Sequence, residues 1–259
     1  MSSTASKTIA VCALLFRVGS AFAVQNQCSA TSGASITPVV ELYTSEGCSS
    51  CPPADQWASS LKGKGVVVQA FHVGYWDYIG WVDRFAAPAY TTRQRSVAAR
   101  NKLRSIYTPQ AVLNGRDLPQ WNNWPDRIGQ ANPAEPARAR ITLQQLGPDQ
   151  FEATVTPISA GPAAPAGPWS AYWTVTEHGH NSKVQAGENA GEFLKHDFVV
   201  RQYTPAGDYK PAEGNAQAPQ KLGFRSIAPT PGHARQVNLV VFEPKTGSTL
   251  QALSLQCAS

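Results

Sequence analysis

The pattern of apolar and polar positions divides the chain into three textures. The first is a short apolar stretch at residues 9–16, too short to span a bilayer, which takes about 20 residues. The second begins at Val39-Val40-Glu41-Leu42-Tyr43-Thr44, a β-branched and aromatic run that predicts a strand, as does Val66-Val67-Val68-Gln69-Ala70-Phe71. Between them Ala54, Trp57, Ala58 and Leu61 fall at i, i+3, i+4 and i+7, the apolar stripe of a buried helix face. Pro52 and Pro53 suit a first helical turn, and Gly63 and Gly65 can end the helix. The result is a β-α-β unit, which favours a right-handed crossover between parallel strands. A second helix is expected from a cap at Thr91 or Thr92 to about Arg104, with Arg93, Arg95, Arg100 and Arg104 read as a solvated basic face. A short strand at 111–113, the two-residue turn signal Asn114-Gly115, a return strand at 116–118 and a short helix at 126–130 complete this region.

The third texture follows a linker-like Pro/Ala/Asn segment at 130–136. Strands are predicted at 139–146, 150–157, 169–177, 193–203, 221–227, 236–242 and 250–256, parted by Pro- and Gly-rich turns at 161–168 and 205–219. Short strands without a long helical pattern predict a β-sandwich. No repeat of fixed period is present. The expected organisation is a signal peptide over 1–23, an irregular lead-in over 24–37, an α/β domain over 38–132 and an all-β, sandwich-like domain over 133–259.

Compartment comes from the N-terminus and the cysteines. Lys7, the apolar stretch and Ala21-Phe22-Ala23 read as a secretory signal peptide cleaved after Ala23, giving a periplasmic or secreted protein. No other stretch suggests stable membrane insertion. The net charge of +5 is not gathered into a dense basic block, which argues against nucleic acid or an anionic membrane surface as partner. Of five cysteines, Cys12 leaves with the leader and Cys28, Cys48, Cys51 and Cys257 remain. An even number in an oxidising compartment suggests two disulfides. Cys48 and Cys51 are near enough to pair locally, and Cys28 with Cys257 would then pair by default as a structural bridge. Closing so long a loop is worth roughly 4–5 kcal/mol in the chain-entropy model.

Cys48-Ser49-Ser50-Cys51 could be half a zinc site, a structural disulfide or a redox pair. Structural zinc needs four ligands, and no second such motif exists. His72 stands in a different context, and His178-Gly179-His180 reads as a loop, so no metal or other cofactor is expected. Redox chemistry is favoured, because a helix N-terminus supplies unpaired N–H groups and a dipole that stabilise thiolate. Thr44, Ser45, Ser49 and Ser50 could add hydroxyl donors. A four-residue loop is also a poor staple. Among the aromatic residues from Phe71 to Tyr90 most belong to a core, while Tyr75 and Trp76 are candidates to line a client groove.

With Thr108-Pro109 placed before a strand and a hairpin, the sequence resembles the thioredoxin superfamily. That resemblance implies a thioredoxin-like fold for 38–132. It implies Cys48 as the exposed attacking thiol, Cys51 as the resolving thiol, and Pro109 after Thr108 as a cis-proline that holds substrate main chain and keeps metal away. The chain departs from thioredoxin where a buried acid would stand six residues before the first cysteine: Leu42 is there. Glu41 should face the other way, and Glu46 is expected to be exposed. The stretch from Glu41 to Asp55, His72 to Asp83, Arg93-Gln94-Arg95, Gly187-Glu188-Asn189 and Leu194 to Arg201 resemble an exported bacterial family, domain of unknown function 1223. This implies the same fold and export, without a substrate. The reading is an exported thiol–disulfide oxidoreductase acting on protein or small-molecule thiols and disulfides, with an unidentified redox partner. The alternative is a non-catalytic envelope binding module with a structural disulfide, and a weaker one is a Cu(I) chaperone.

Overall fold

The computed structural model describes residues 28–123, 135–159, 167–210 and 217–257. The signal peptide, the helix expected at 126–130 and most of the linker lie outside these residues. The first described element corrects an expectation. Ser29–Thr31 is not irregular but a short strand, β1, paired antiparallel to β6 (Ala139–Gly147).

The α/β region follows its apolar pattern. β2 (Val39–Thr44) runs parallel to β3 (Val67–His72), joined through α1 (Pro52–Ser59). Every residue of β2 and β3 is buried, because both faces of these strands are covered. Val40, Leu42 and Val68 pack on Ala54, Trp57, Ala58 and Leu61 of the α1 segment. Each large side chain so buried contributes about 1.5–3 kcal/mol. On the other face Tyr43, Phe71 and Val112 pack on Tyr90 and Val97 of α2 (Pro88–Arg100). α2 starts earlier than a Thr cap would have it, with Pro88 in its first turn and Ala87 extended ahead of it. β4 (Gln110–Leu113) pairs antiparallel with β2 and turns through Asn114-Gly115 into β5 (Arg116–Asp117). Both turn residues have positive φ, 50° and 82°, as the tight hairpin turn requires.

The C-terminal half is β throughout. β1, β6, β7 (Gln150–Pro157) and β12 (Gln220–Arg225) form one sheet in the order β1-β6-β7-β12. It packs on β8 (Trp169–Glu177), β13 (Arg235–Phe242) and β14 (Thr249–Leu255) through a core that includes Ile141, Leu143, Val155, Trp173 and Leu239. The expected sandwich is therefore present. The expected strand at 193–203 is divided. β10 (Phe193–His196) pairs with β9 (His180–Lys183), and the chain turns at Phe198, φ 55°, into β11 (Val199–Tyr209).

β11 joins the two regions. It pairs antiparallel with β8 and meets β3 in parallel at Val199–Ala70, where the Ala70 amide donates to the Phe198 carbonyl (2.8 Å). One eight-stranded sheet, β14-β13-β8-β11-β3-β2-β4-β5, thus runs through both. An edge strand of the α/β unit is closed by the β region instead of facing water. Cys28 and Cys257 are bonded, with Cα atoms 5.7 Å apart, and tie the two ends of the described chain together beside the sandwich core.

Candidate functional site

At the C-terminal end of β2 the chain enters the Ser45–Cys51 turn and then α1. Cys48 and Cys51 are bonded across it, Cα atoms 5.4 Å apart. Cys51 caps α1, but the first two helical positions are Pro52 and Pro53, which have no N–H to offer. The next amides, Ala54 and Asp55, both donate to the Cys51 carbonyl (2.9 and 3.1 Å). The free helix amides expected to stabilise a thiolate are therefore missing. Of the four hydroxyls that could have substituted, Ser50 Oγ lies 3.4 Å from Cys48 Sγ. Ser45 accepts from Gly47, Ser49 is turned to Glu188, and the Thr44 hydroxyl is buried without a hydrogen-bond partner.

Cys48 is 1% exposed and Cys51 0%, so the open attacking sulfur that the resemblance implies is covered in this state. A strap at residues 187–189 is bonded to the same turn. Asn189 Nδ2 donates to the carbonyls of Glu46 (2.8 Å) and Cys48 (3.0 Å). Glu188 Oε2 accepts from the Ser49 amide (3.0 Å) and hydroxyl (2.8 Å). Gly187, φ 76°, lies where an added Cβ would crowd Ile79 at 3.1 Å.

Pro109 sits at the same end of the sheet, one residue before the Gln110–Tyr43 pair, and the Thr108–Pro109 bond is cis. Trp76 links this loop to the cysteine turn. Its indole N–H donates to Thr108 Oγ1 (2.7 Å), and its Cβ is 3.0 Å from where a Gly47 Cβ would stand. Trp76 is half-buried. Tyr75 packs against the α2-side core with its hydroxyl buried. The strongly exposed apolar residues of this segment are instead Tyr78 and Val82.

Beneath the turn lies a buried ionisable network that sequence reasoning missed. Glu46 is 0% exposed, contrary to expectation. Its Oε2 accepts from Trp81 Nε1 (2.7 Å), its Oε1 is 3.2 Å from His196 Nε2, and its amide donates to Asp83 Oδ2 (2.9 Å). His196 Nδ1 is 3.7 Å from Asp55 Oδ2, one helical turn beyond Cys51. His72 Nδ1 is 2.7 Å from Asp83 Oδ2, and the two imidazoles meet edge to face at 4.9 Å. Burial opposes charge on His196, but Asp55 and Glu46 overcome it and raise its pKa to about 9. Burial likewise pushes Glu46 and Asp83 up, yet hydrogen bonds to Glu46 and the His72 contact to Asp83 hold both carboxyls below their ordinary values. One signal for His196 was available: strand alternation places it on the same inward side as Leu194.

Two other expectations change. Leu42 and Glu41 face opposite sides of the sheet, as the sequence predicts, but Glu41 is buried with Arg93. Arg93 is not on a solvated face. Its Nε and Nη2 donate to the two Glu41 oxygens (2.8 and 2.7 Å), and its guanidinium lies 3.8 Å over the Tyr172 ring. His180 belongs to a strand and its Nε2 is 2.9 Å from Glu177 Oε2. Among the described residues no three His, Cys, Asp or Glu side chains group as metal ligands. Nor is any described helix long and apolar enough to cross a membrane.

Residues 39–241, more than half of the chain, match the family described as "Protein of unknown function (DUF1223)". The chain belongs to this family. No curated protein matches it. Among solved structures it is similar to a protein from Agrobacterium tumefaciens, at 24% identity and TM-score 0.64, over 87% of this chain and 96% of that one. It is also similar to HBP35 of Porphyromonas gingivalis, at 14% identity and TM-score 0.58, over 86% of this chain and 75% of that one. At these identities the two likenesses speak for the fold alone. This member of the family combines a thioredoxin-like fold with a close Cys48–Cys51 disulfide.

Proposed function

We propose that this protein is an exported thiol–disulfide oxidoreductase whose Cys48–Cys51 pair exchanges with protein or small-molecule clients after the 187–189 strap lifts. The observation that carries this reading is the ionisable network under the turn. Glu46, Asp55 and His196 are buried against a four-residue disulfide loop. An inert staple needs no such groups, and burying them carries a desolvation cost. A dithiol that gains and loses protons does need them, and perturbed ionisable groups gather at functional sites. Export is supported by the N-terminal leader pattern and by two disulfides, which persist in oxidising compartments.

In the reducing direction the Cys48 thiolate attacks a client disulfide, forming a mixed disulfide and releasing one client thiolate. Cys51 then loses its proton and attacks Cys48 Sγ. The second client thiolate leaves, the Cys48–Cys51 bond re-forms and two electrons have passed to the client. In the oxidising direction a client thiolate attacks Cys48 and the same steps run backwards. Asp55, one helical turn beyond Cys51 and 3.7 Å from His196 Nδ1, is the group placed to take the proton that Cys51 gives up, with the His196 cation beside it. Tyr78 and Val82 offer apolar surface to a client near Trp76. The alternative, an inert disulfide on a binding module, is favoured by the covered sulfurs. Insulin reduction, or oxidation of a reduced client, separates the two. Wild type is expected to turn over and Cys48→Ser to be inactive; equal rates contradict the proposal.

A further inference from the structure

A cavity of about 420 Å³, within the usual range for small-molecule pockets, is lined by Phe85, whose ring also meets the His72 and His196 imidazoles edge to face. Arg84, Phe85, His180, Arg201, Thr230 and His233 line it. Both guanidiniums converge on one ring: Arg84 lies 4.6 Å and Arg201 5.3 Å from the Phe85 centroid. Arg84 gives one N–H to the Asn181 carbonyl (2.6 Å) and has no ion-pair partner among the described residues. Arg201 is only 3.8 Å at nearest from a carboxylate, that of Glu177.

That carboxylate is already engaged. Glu177 is fully buried, His180 Nε2 lies 2.9 Å from its Oε2, and the Thr230 amide donates to its Oε1 (2.9 Å). It holds the wall in place and does not face the cavity as a free anion. His180 and His233 stack at 3.8 Å, 11° from parallel. His233 is fixed by Nδ1, which donates to the His178 carbonyl (2.7 Å). The cavity therefore presents two under-neutralised guanidiniums on a rigid aromatic wall. Planar guanidinium forks are suited to bidentate oxyanion binding.

We infer that this cavity binds the oxyanion head, carboxylate or phosphoryl, of a small molecule, with Arg84 and Arg201 as its clamp and the Phe85 and His233 rings beside any attached planar group. The inference is independent of thiol exchange at Cys48. The test is titration calorimetry of the full chain with inorganic phosphate and, separately, with malonate. Saturable binding of at least one probe is expected, weakening as salt is raised because the clamp is electrostatic. Phosphate alone binding identifies a phosphoryl site, malonate alone a carboxylate site, and both a general oxyanion site. Affinity should fall at least about tenfold in Arg84→Ala/Arg201→Ala and stay unchanged in Arg104→Ala, whose side chain is exposed elsewhere. Should the double alanine variant fail to fold, Arg84→Lys/Arg201→Lys keeps the charge but loses the forks, and its affinity should fall several-fold. No saturable binding of either probe by wild type, or undiminished affinity in a folded clamp variant, overturns the inference.

Discussion

At pH 7 His196 is an imidazolium between the carboxylates of Glu46 and Asp55. Its pKa of about 9 lies above the ordinary 6.5, so its contribution to stability is full below pH 6.5 and is lost as pH rises through 9. The shift corresponds to about 3 kcal/mol. Denaturant unfolding of wild type should therefore show stability falling between those pH values by an amount of that order. His196→Gln should remove most of that slope. An unchanged slope would show that the imidazole is not charged in the folded protein. The opposite sign holds for Glu46 and Asp83, whose lowered values favour the fold until acid protonates them.

Residue identity was the least legible level. Arg93 occupies the stripe Tyr90, Arg93, Gln94 and Val97, the buried side of α2, yet its charge suggested a solvated face. What reverses the expectation is Glu41, 52 residues away in sequence, together with Tyr172 from β8. A buried pair of this kind costs desolvation and survives only because both partners are present with good geometry. Periodicity shows that a position is inward; it does not show which distant side chain will meet it there.

Among the elements, the strap is the part bonded directly to the cysteine turn. Asn189 is buried and spends its amide on two carbonyls of the cysteine turn, Glu46 and Cys48. Losing these bonds should favour strap opening by about 1–3 kcal/mol. Asn189→Ala is therefore expected to speed reduction of Cys48–Cys51 by dithiothreitol about 5- to 150-fold, read by alkylation and mass spectrometry. A rate equal to wild type would mean that the strap does not control entry. The strands themselves were readable. β8 spans the predicted 169–177, and β7, β13 and β14 fall within a residue of expectation, because each is a β-branched or aromatic run bounded by turn residues. β9 was missed since His180-Asn181-Ser182-Lys183 carries no apolar run; β10 supplies its pairing. The break at Asp197-Phe198 was hidden inside a continuous strand-like sequence.

On the scale of the molecule, strand content did not reveal that one sheet crosses the expected boundary. β11 closes the outer edge of β3, and Phe198 completes the core under α1. We expect a fragment of residues 38–132 to lack a cooperative urea transition, because it loses both. The full chain should unfold in a sharp step. A cooperative transition in the fragment would show that the α/β region is self-sufficient.

The same architecture keeps the Cys48–Cys51 bond inside the joint between the two regions, with groups from both around it. The most direct measurement is a redox titration of the folded protein in graded glutathione and dithiothreitol buffers, trapped by alkylation and read by mass. Cys48–Cys51 should reduce reversibly above about −300 mV while Cys28–Cys257 stays bonded and the circular dichroism stays native. Reduction of Cys48–Cys51 only well below that potential, or only together with unfolding, would contradict it.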